Sequence, residues 1–263
     1  TLDGKKYKTT RDANTGKELM LVEGHTDNVN SLAVTPDGAL LYSASEDQTI
    51  IEWDLSTGLA LRRFRGHEAS VTDVDLTSDG LGMVTSSLDQ TVIMWELVTG
   101  TILGRLQGHD GGVLTVKLNA DDTRLLTGSA DQTVKLWNYE TGQLITTLNG
   151  HEDRIRDVTF SPDGRQAVSA SSDHSIIEWD ILPGSIIDVY KPLDTAIWSV
   201  DVHPSADRAL LTTGFPDNSI VEFNFDTGVL SNPFVGHDGT VSSVRYNADG
   251  TKAVSTASDT TVI

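Results

Sequence analysis

The sequence contains no cysteine in its 263 residues. Disulfide frameworks, zinc–thiolate sites and thiol nucleophiles are thereby excluded, while either redox compartment suits the chain. No apolar run approaches the roughly 18 residues that a membrane-spanning helix needs. Basic residues are scarce: 19 Lys and Arg stand against 38 Asp and Glu, a formal net charge of −19 and a pI near 4.5. Such a surface repels phosphate backbones and anionic bilayers, so neither nucleic acid nor membrane insertion is expected. Long stretches with apolar spacing of three and four are also missing, which argues against helices. The first residue is Thr1 rather than Met, which leaves room for a removed leader or a preceding domain. Cytoplasmic placement is the expectation.

What the sequence does have is repetition, the first thing to seek in a long polar chain. Gly24-His25, Gly66-His67, Gly108-His109 and Gly150-His151 follow one another at 42 residues; the next step lands on Pro192-Leu193, and Gly236-His237 lies 44 further on. Twenty-two residues after each histidine stands Asp47, Asp89, Asp131, Asp173 or Asp259, and six beyond the first four stand Trp53, Trp95, Trp137 and Trp179. Four residues before each aspartate is a hydroxyl: Ser43, Thr85, Thr127, Ser169 or Ser255. The divergent unit is expected to keep Thr213, Asp217 and Phe223 in these roles. Between the landmarks the period is two. "LLYSAS", "RLLTGS" and "QAVSAS" read as strands, as do "TIIEW", "TVIMW", "TVKLW" and "SIIEW". Turn signals such as Pro36-Asp37-Gly38 and Thr57-Gly58 separate them, giving four short strands per unit.

On these motifs (Gly-His, Ser/Thr, Ser-x-Asp-x-Thr-Val, Trp-Asp/Glu/Asn) the chain resembles a WD40-repeat β-propeller over essentially its whole length. The resemblance implies an all-β fold, one domain over 1–263 built of four-stranded antiparallel blades around a central channel. Repeats are expected at 24–65, 66–107, 108–149, 150–191 and 192–235, with partial blades at 1–23 and 236–263. Residues 5–11 and "ELMLV" read as third and fourth strands with Arg11 in the tryptophan's place, while the C-terminus supplies two strands and "TTVI" of a third. An excerpt of a longer chain would give seven blades in the full protein, the preferred expectation. A complete chain would give six, closed by the N-terminal strands.

His25, Ser43 and Asp47 are the residue types of a nucleophilic triad. A triad is needed once per site, however, and this set recurs in every regular repeat beside an indole. Counting from the turn, Ser43 is expected to face Trp53 across the hairpin. The resemblance implies that His25, Ser43, Asp47 and Trp53, with their counterparts in the next three repeats, form buried hydrogen-bonded networks that stabilise the blades. No cofactor or metal is expected. The Asp-Gly turns lack the alternating ligands and distal glutamate of a calcium loop, no glycine-rich phosphate loop precedes a helix, and the histidines are not in ligand spacing.

The stretch "KPLDTAIWSV", residues 191–200, loses the Gly-His signature and gains a tryptophan. Each first strand opens on an apolar residue (Val29, Val71, Val113, Ile155, Ile197, Val241), and the next position holds Asn30, Thr72, Leu114, Arg156, Trp198 and Ser242. Core residues do not vary like that. In WD40 proteins this position, the one two before it and the one preceding the turn aspartate lie on the upper channel rim, where partners commonly bind. The resemblance therefore implies a partner-binding set of Arg154, Arg156, Trp198, Leu114, Leu88 and Pro216, with Glu46 nearby; Arg and Trp are also the types that dominate interface hot spots. The expected function is a non-catalytic scaffold or sensor that binds a protein or peptide, within a larger chain or assembly. An architectural subunit packing by its blade edges is the alternative. An enzyme using the channel mouth would need convergent carboxylates or histidines beyond the networks, and the sequence reveals no such cluster.

Overall fold

The computed structural model describes residues 9–11, 18–20, 24–214, 218–259 and 261–263. Every regular element among them is a β-strand. Blade 1 comprises Val29–Val34, Leu40–Ser45, Thr49–Asp54 and Leu59–Arg65; blade 2 comprises Val71–Leu76, Gly82–Ser87, Val92–Glu96 and Thr101–Leu106. Blade 3 comprises Val113–Leu118, Arg124–Ser129, Thr133–Asn138 and Leu144–Asn149; blade 4 comprises Ile155–Phe160, Gln166–Ser171, Ile176–Asp180 and Ser185–Tyr190. Each is an antiparallel sheet in simple chain order. Blade 5 has three full strands, Ile197–Val202, Arg208–Thr213 and Ile220–Asn224. Its fourth position is reached only by single bridges from Leu230 and Phe234, in a segment where Pro233 has no N–H to give to a ladder. Blade 6 contributes Val241–Tyr246, Ala253–Ala257 and a bridge from Thr256 to Val262. An N-terminal ribbon pairs Thr9–Arg11 with Glu18–Met20, and its Arg11↔Glu18 register has the phase of Trp53↔Ala60 in blade 1. Residues 5–8 and 21–22 of the expected N-terminal strands lie outside the described residues.

Two expectations about register need correction. Ser43 pairs with Ile51, and Trp53 with Leu41, so the hydroxyl and the indole are diagonal neighbours on one face rather than direct partners. The cause is the turn. Asp47 accepts the Thr49 N–H at 3.1 Å and its hydroxyl at 2.5 Å, and Gln48 takes a left-handed φ of 68°, which centres the loop on Asp47 and shifts the pairing by two. In blade 5 the counterpart of Ser43 is Leu211, paired with Val200 and Val221, while Thr213 takes the place of Ser45 opposite Ile197. The chain's two extra residues therefore fall between Gly214 and Ser219 rather than before Thr213.

Every first strand carries a β-bulge at its second residue. The pairing skips between Val29 and Ser31, Val71 and Asp73, Val113 and Thr115, Ile155 and Asp157, Ile197 and Ser199, and Val241 and Ser243. A bulge residue has no ladder partner, and its side chain is re-aimed away from the sheet's alternation.

Blades pack face to face from the first to the sixth. Tyr42, Ile50 and Phe64 of blade 1 cover Val71, Val74 and Trp95 of blade 2, with the Phe64 and Trp95 rings edge-on at 5.6 Å. The same contact recurs at each later junction. On the other side of blade 1 it is missing among the described residues: Val29 and Leu32 are 48% and 58% exposed, whereas their counterparts Val71 and Val74 are 0% and 1%. The seven-bladed expectation and its six-bladed alternative both concern this open side.

Candidate functional site

The recurrent polar set is internal. In blade 2, Trp95 Nε1 donates to Thr85 Oγ1 at 2.9 Å, His67 Nε2 lies 2.8 Å from the same oxygen, and His67 Nδ1 lies 2.8 Å from Asp89 Oδ2. The Asp89 carboxylate can only accept, so Nδ1 donates to it, and in the neutral ring Nε2 then accepts from the threonine hydroxyl, whose oxygen accepts from the indole. Trp53, Trp137 and Trp179 repeat this chain with Ser43, Thr127 and Ser169. Blade 6 repeats the His237, Ser255 and Asp259 part. Burial pushes the pKa of Asp89 up, but hydrogen bonds from His67, Thr91 and the Glu68 N–H outweigh it and hold the carboxyl well below the usual range. The donors and acceptors of each set are engaged with one another inside the blade.

Blade 5 replaces the network by hydrocarbon at the three described positions. Leucine takes the histidine position (Leu193) and the hydroxyl position (Leu211), and Phe223 takes that of the indole. Phe223 and Leu211 are fully buried, with Leu193 packed against their cluster and Tyr190 edge-on to Phe223 at 4.9 Å. Exchanging both ends of a buried hydrogen bond for apolar groups avoids orphaned polar atoms and is nearly neutral in stability.

The bulge side chains gather at one mouth of the channel. A cavity of about 440 Å³ there is lined by Arg154, Arg156, Trp198, Leu114 and Leu88 from the expected set, together with Glu46 and residues of all six blades. Pro216, and Asp217 with its expected aspartate role in blade 5, lie outside the described residues. The Arg156 guanidinium stacks on the Trp198 ring, 4.3 Å from its centroid, and its Nε donates to Ser172 Oγ at 2.7 Å. Burial, and then the neighbouring Arg154 charge, lower the pKa of Arg156. Trp198 lies over the bare backbone of Gly214, where a Cβ would fall 2.3 Å from its Nε1. Glu46, Leu88, Ala130 and Ser172 hold that position in blades 1 to 4. The indole is half-buried, while Leu88 is 48% exposed.

Below the rim lies a cluster that the sequence reading missed. Asp73, Asp75, Asp157 and Asp201 converge on the channel with Lys117 and Arg245. The carboxylates join neighbouring blades. Asp73 accepts the Val116 N–H at 3.0 Å, Asp75 that of Leu118 at 2.8 Å, Asp157 that of Val200 at 3.1 Å and Asp201 that of Tyr246 at 2.7 Å. Arg245 reaches back across blade 5 to Asp157 at 3.1 Å, and Lys117 lies 3.5 Å from Asp73. Burial raises the pKa of Asp75 and Asp201 despite these cations, whereas Asp73 stays below its usual value because Lys117, Ser31 and the Val116 N–H outweigh burial. The alternating charges in "VTDVDL", "VLTVKL" and "VSSVRY" were the available signal. They meet only because strands about one repeat apart line one channel.

The profile of the family described as WD domain, G-beta repeat matches residues 16–54, 58–96, 100–138, 142–180 and 228–263. The chain belongs to the WD40 family. WD40 repeats generally mediate protein–protein interactions and are typically non-catalytic. The WD40 matches pass over 181–227, the segment that holds the three full strands of blade 5 and Trp198. No curated protein matches the chain. Among the described residues no helix is long and apolar enough to cross a membrane, and no group of His, Asp and Glu is placed to hold a metal ion.

Proposed function

We propose that this chain is a non-catalytic scaffold or sensor module that holds a protein or peptide partner at the channel rim, through Arg154, Arg156, Trp198, Leu114 and Leu88. The observation that carries this reading is the half-buried Trp198 seated on Gly214 beneath Arg156, in a molecule whose other polar and aromatic landmarks are consumed by internal networks. Arg and Trp in one partly desolvated pocket form the usual anchor of a binding hot spot. The net charge of −19 disfavours a nucleic-acid partner.

A second reading has its own support. The outer strand of blade 4 is a free sheet edge with Ile186, Ile187 and Val189 each 43–45% exposed, which suits a subunit packed by its blade edges. Affinity capture with the wild-type chain, an Arg156→Ala/Trp198→Ala variant and an Ile187→Lys variant separates the two. Loss of captured partner in the rim variant at an unchanged thermal midpoint is the expected result. Capture that survives it but is lost with Ile187→Lys would transfer the function to the edge.

A further inference from the structure

We propose that the rim site recognises an anionic oxygen group, the carboxylate or phosphate of an acidic peptide segment, seated on Arg154 and Arg156 beside Trp198. This rests on the rim reading above and supplies its ligand chemistry. Arg156 uses Nε on Ser172 and stacks its plane on the indole, so the guanidinium is fixed in orientation. Neither of its terminal nitrogens has a hydrogen-bond or ion-pair partner among the described residues. Arg154 is about half exposed and approaches only its sequence neighbour Asp153, at 3.8 Å. Of the two guanidiniums in this cavity, Arg156 has no ion-pair partner among the described residues and Arg154 has only the half-exposed Asp153.

None of the acids that line the cavity is paired with Arg154 or Arg156, and Asp73 lies with Lys117 at 3.5 Å. Glu46 accepts from Asn28 at 3.1 Å. Asp157 is occupied by Ser199, the Val200 N–H and Arg245. An oriented guanidinium with both terminal NH₂ groups unfilled presents the fork that a carboxylate or phosphate fills with two parallel hydrogen bonds. The setting sharpens the point. In a chain with twice as many acids as bases, two adjacent guanidiniums with only one exposed acid beside them are where an acidic ligand escapes the general repulsion. The cavity, about 440 Å³, falls in the range of small-ligand pockets, which suits one or two peptide side chains rather than a folded surface. Leu114 and Trp198 offer an apolar wall for the residue flanking the anion.

The test uses three synthetic peptides, identical except for a central Gln, Glu or phosphoserine flanked by leucines. Each is titrated by calorimetry into the chain, an Arg154→Gln/Arg156→Gln variant and Trp198→Phe. At least one anionic peptide is expected to bind about tenfold or more tightly than the Gln peptide, the factor that one charge-assisted hydrogen bond supplies. The double variant should erase that preference at an unchanged thermal midpoint, whereas Trp198→Phe should weaken binding and keep the preference. The Glu and phosphoserine arms tell a carboxylate from a phosphate. Equal binding of the Gln peptide, no binding of any peptide, or a preference that persists in the double variant overturns the anion assignment. Each of these leaves the rim reading standing so long as partner capture still depends on Arg156 and Trp198.

Discussion

Trp95, Thr85, His67 and Asp89 form one hydrogen-bonded chain, so their loss should be graded by what is orphaned. Trp95→Ala removes a fully buried indole and is expected to destabilise by about 3–5 kcal/mol, in line with large-to-small core changes. Thr85→Val keeps the volume but leaves the Trp95 N–H and His67 Nε2 unpaired, for about 1–3 kcal/mol. Urea unfolding of the two variants checks both the sizes and their order. The aspartates set the pH response. Burial raises the pKa of Asp131, but the hydrogen bonds from His109 and Thr133 carry it below 3.8, and Asp47, Asp89 and Asp173 behave alike. A folded-state pKa below the unfolded one contributes stability that is complete above the unfolded value and lost as pH falls through the folded one. The urea midpoint is therefore expected to fall steadily below about pH 4. Asp131→Asn should start lower and decline less steeply over the same range. A wild-type midpoint that held constant from pH 4 downward would contradict this account.

At the scale of the strand, the bulge decides which side chains face the mouth of the channel. Trp198 is legible in the sequence as an anomaly because its neighbours at that phase, Asn30, Thr72, Leu114, Arg156 and Ser242, vary without regard to polarity. What the sequence conceals is why. The bulge removes these residues from the inward and outward alternation, and only backbone pairing exposes it. The 42-residue period and the strand order are legible for the opposite reason, since they rest on local turn chemistry repeated many times. The Ser43–Trp53 pairing and the Thr213 assignment miss by two, because both were counted to an aspartate whose loop length was unknown. Gly214 has a testable role here. Gly214→Ala would place a methyl 2.3 Å from Trp198 Nε1 and force the indole off its seat. The expected result is a red-shifted tryptophan emission and weakened partner capture, with the quartets of blades 1 to 4 undisturbed. An unchanged spectrum would show that the ring is not held by that contact.

Over the whole molecule, stability is a chain of junctions between neighbours, as in other repeat architectures. The channel charges add a longer reach. Arg245 of blade 6 meets Ser199 of blade 5 at 2.8 Å and Asp157 of blade 4 at 3.1 Å, so one side chain ties three blades. Arg245→Ala is expected to cost about 1–3 kcal/mol, a range reduced because the guanidinium is 35% exposed. Hydrogen exchange should accelerate in Val241–Tyr246 well before Val71–Leu76 responds, and uniform acceleration would argue against the junction picture. The bulges, finally, free some of the mouth-facing side chains from any part in holding blades together. Asn30 and Thr72 bridge to the next blade through the Val71 and Val113 carbonyls, whereas Leu114, Arg156 and Trp198 make no such bond among the described residues, so a combinatorial library randomised at those three should yield mostly folded clones, making the scaffold a ready chassis for engineered affinity reagents.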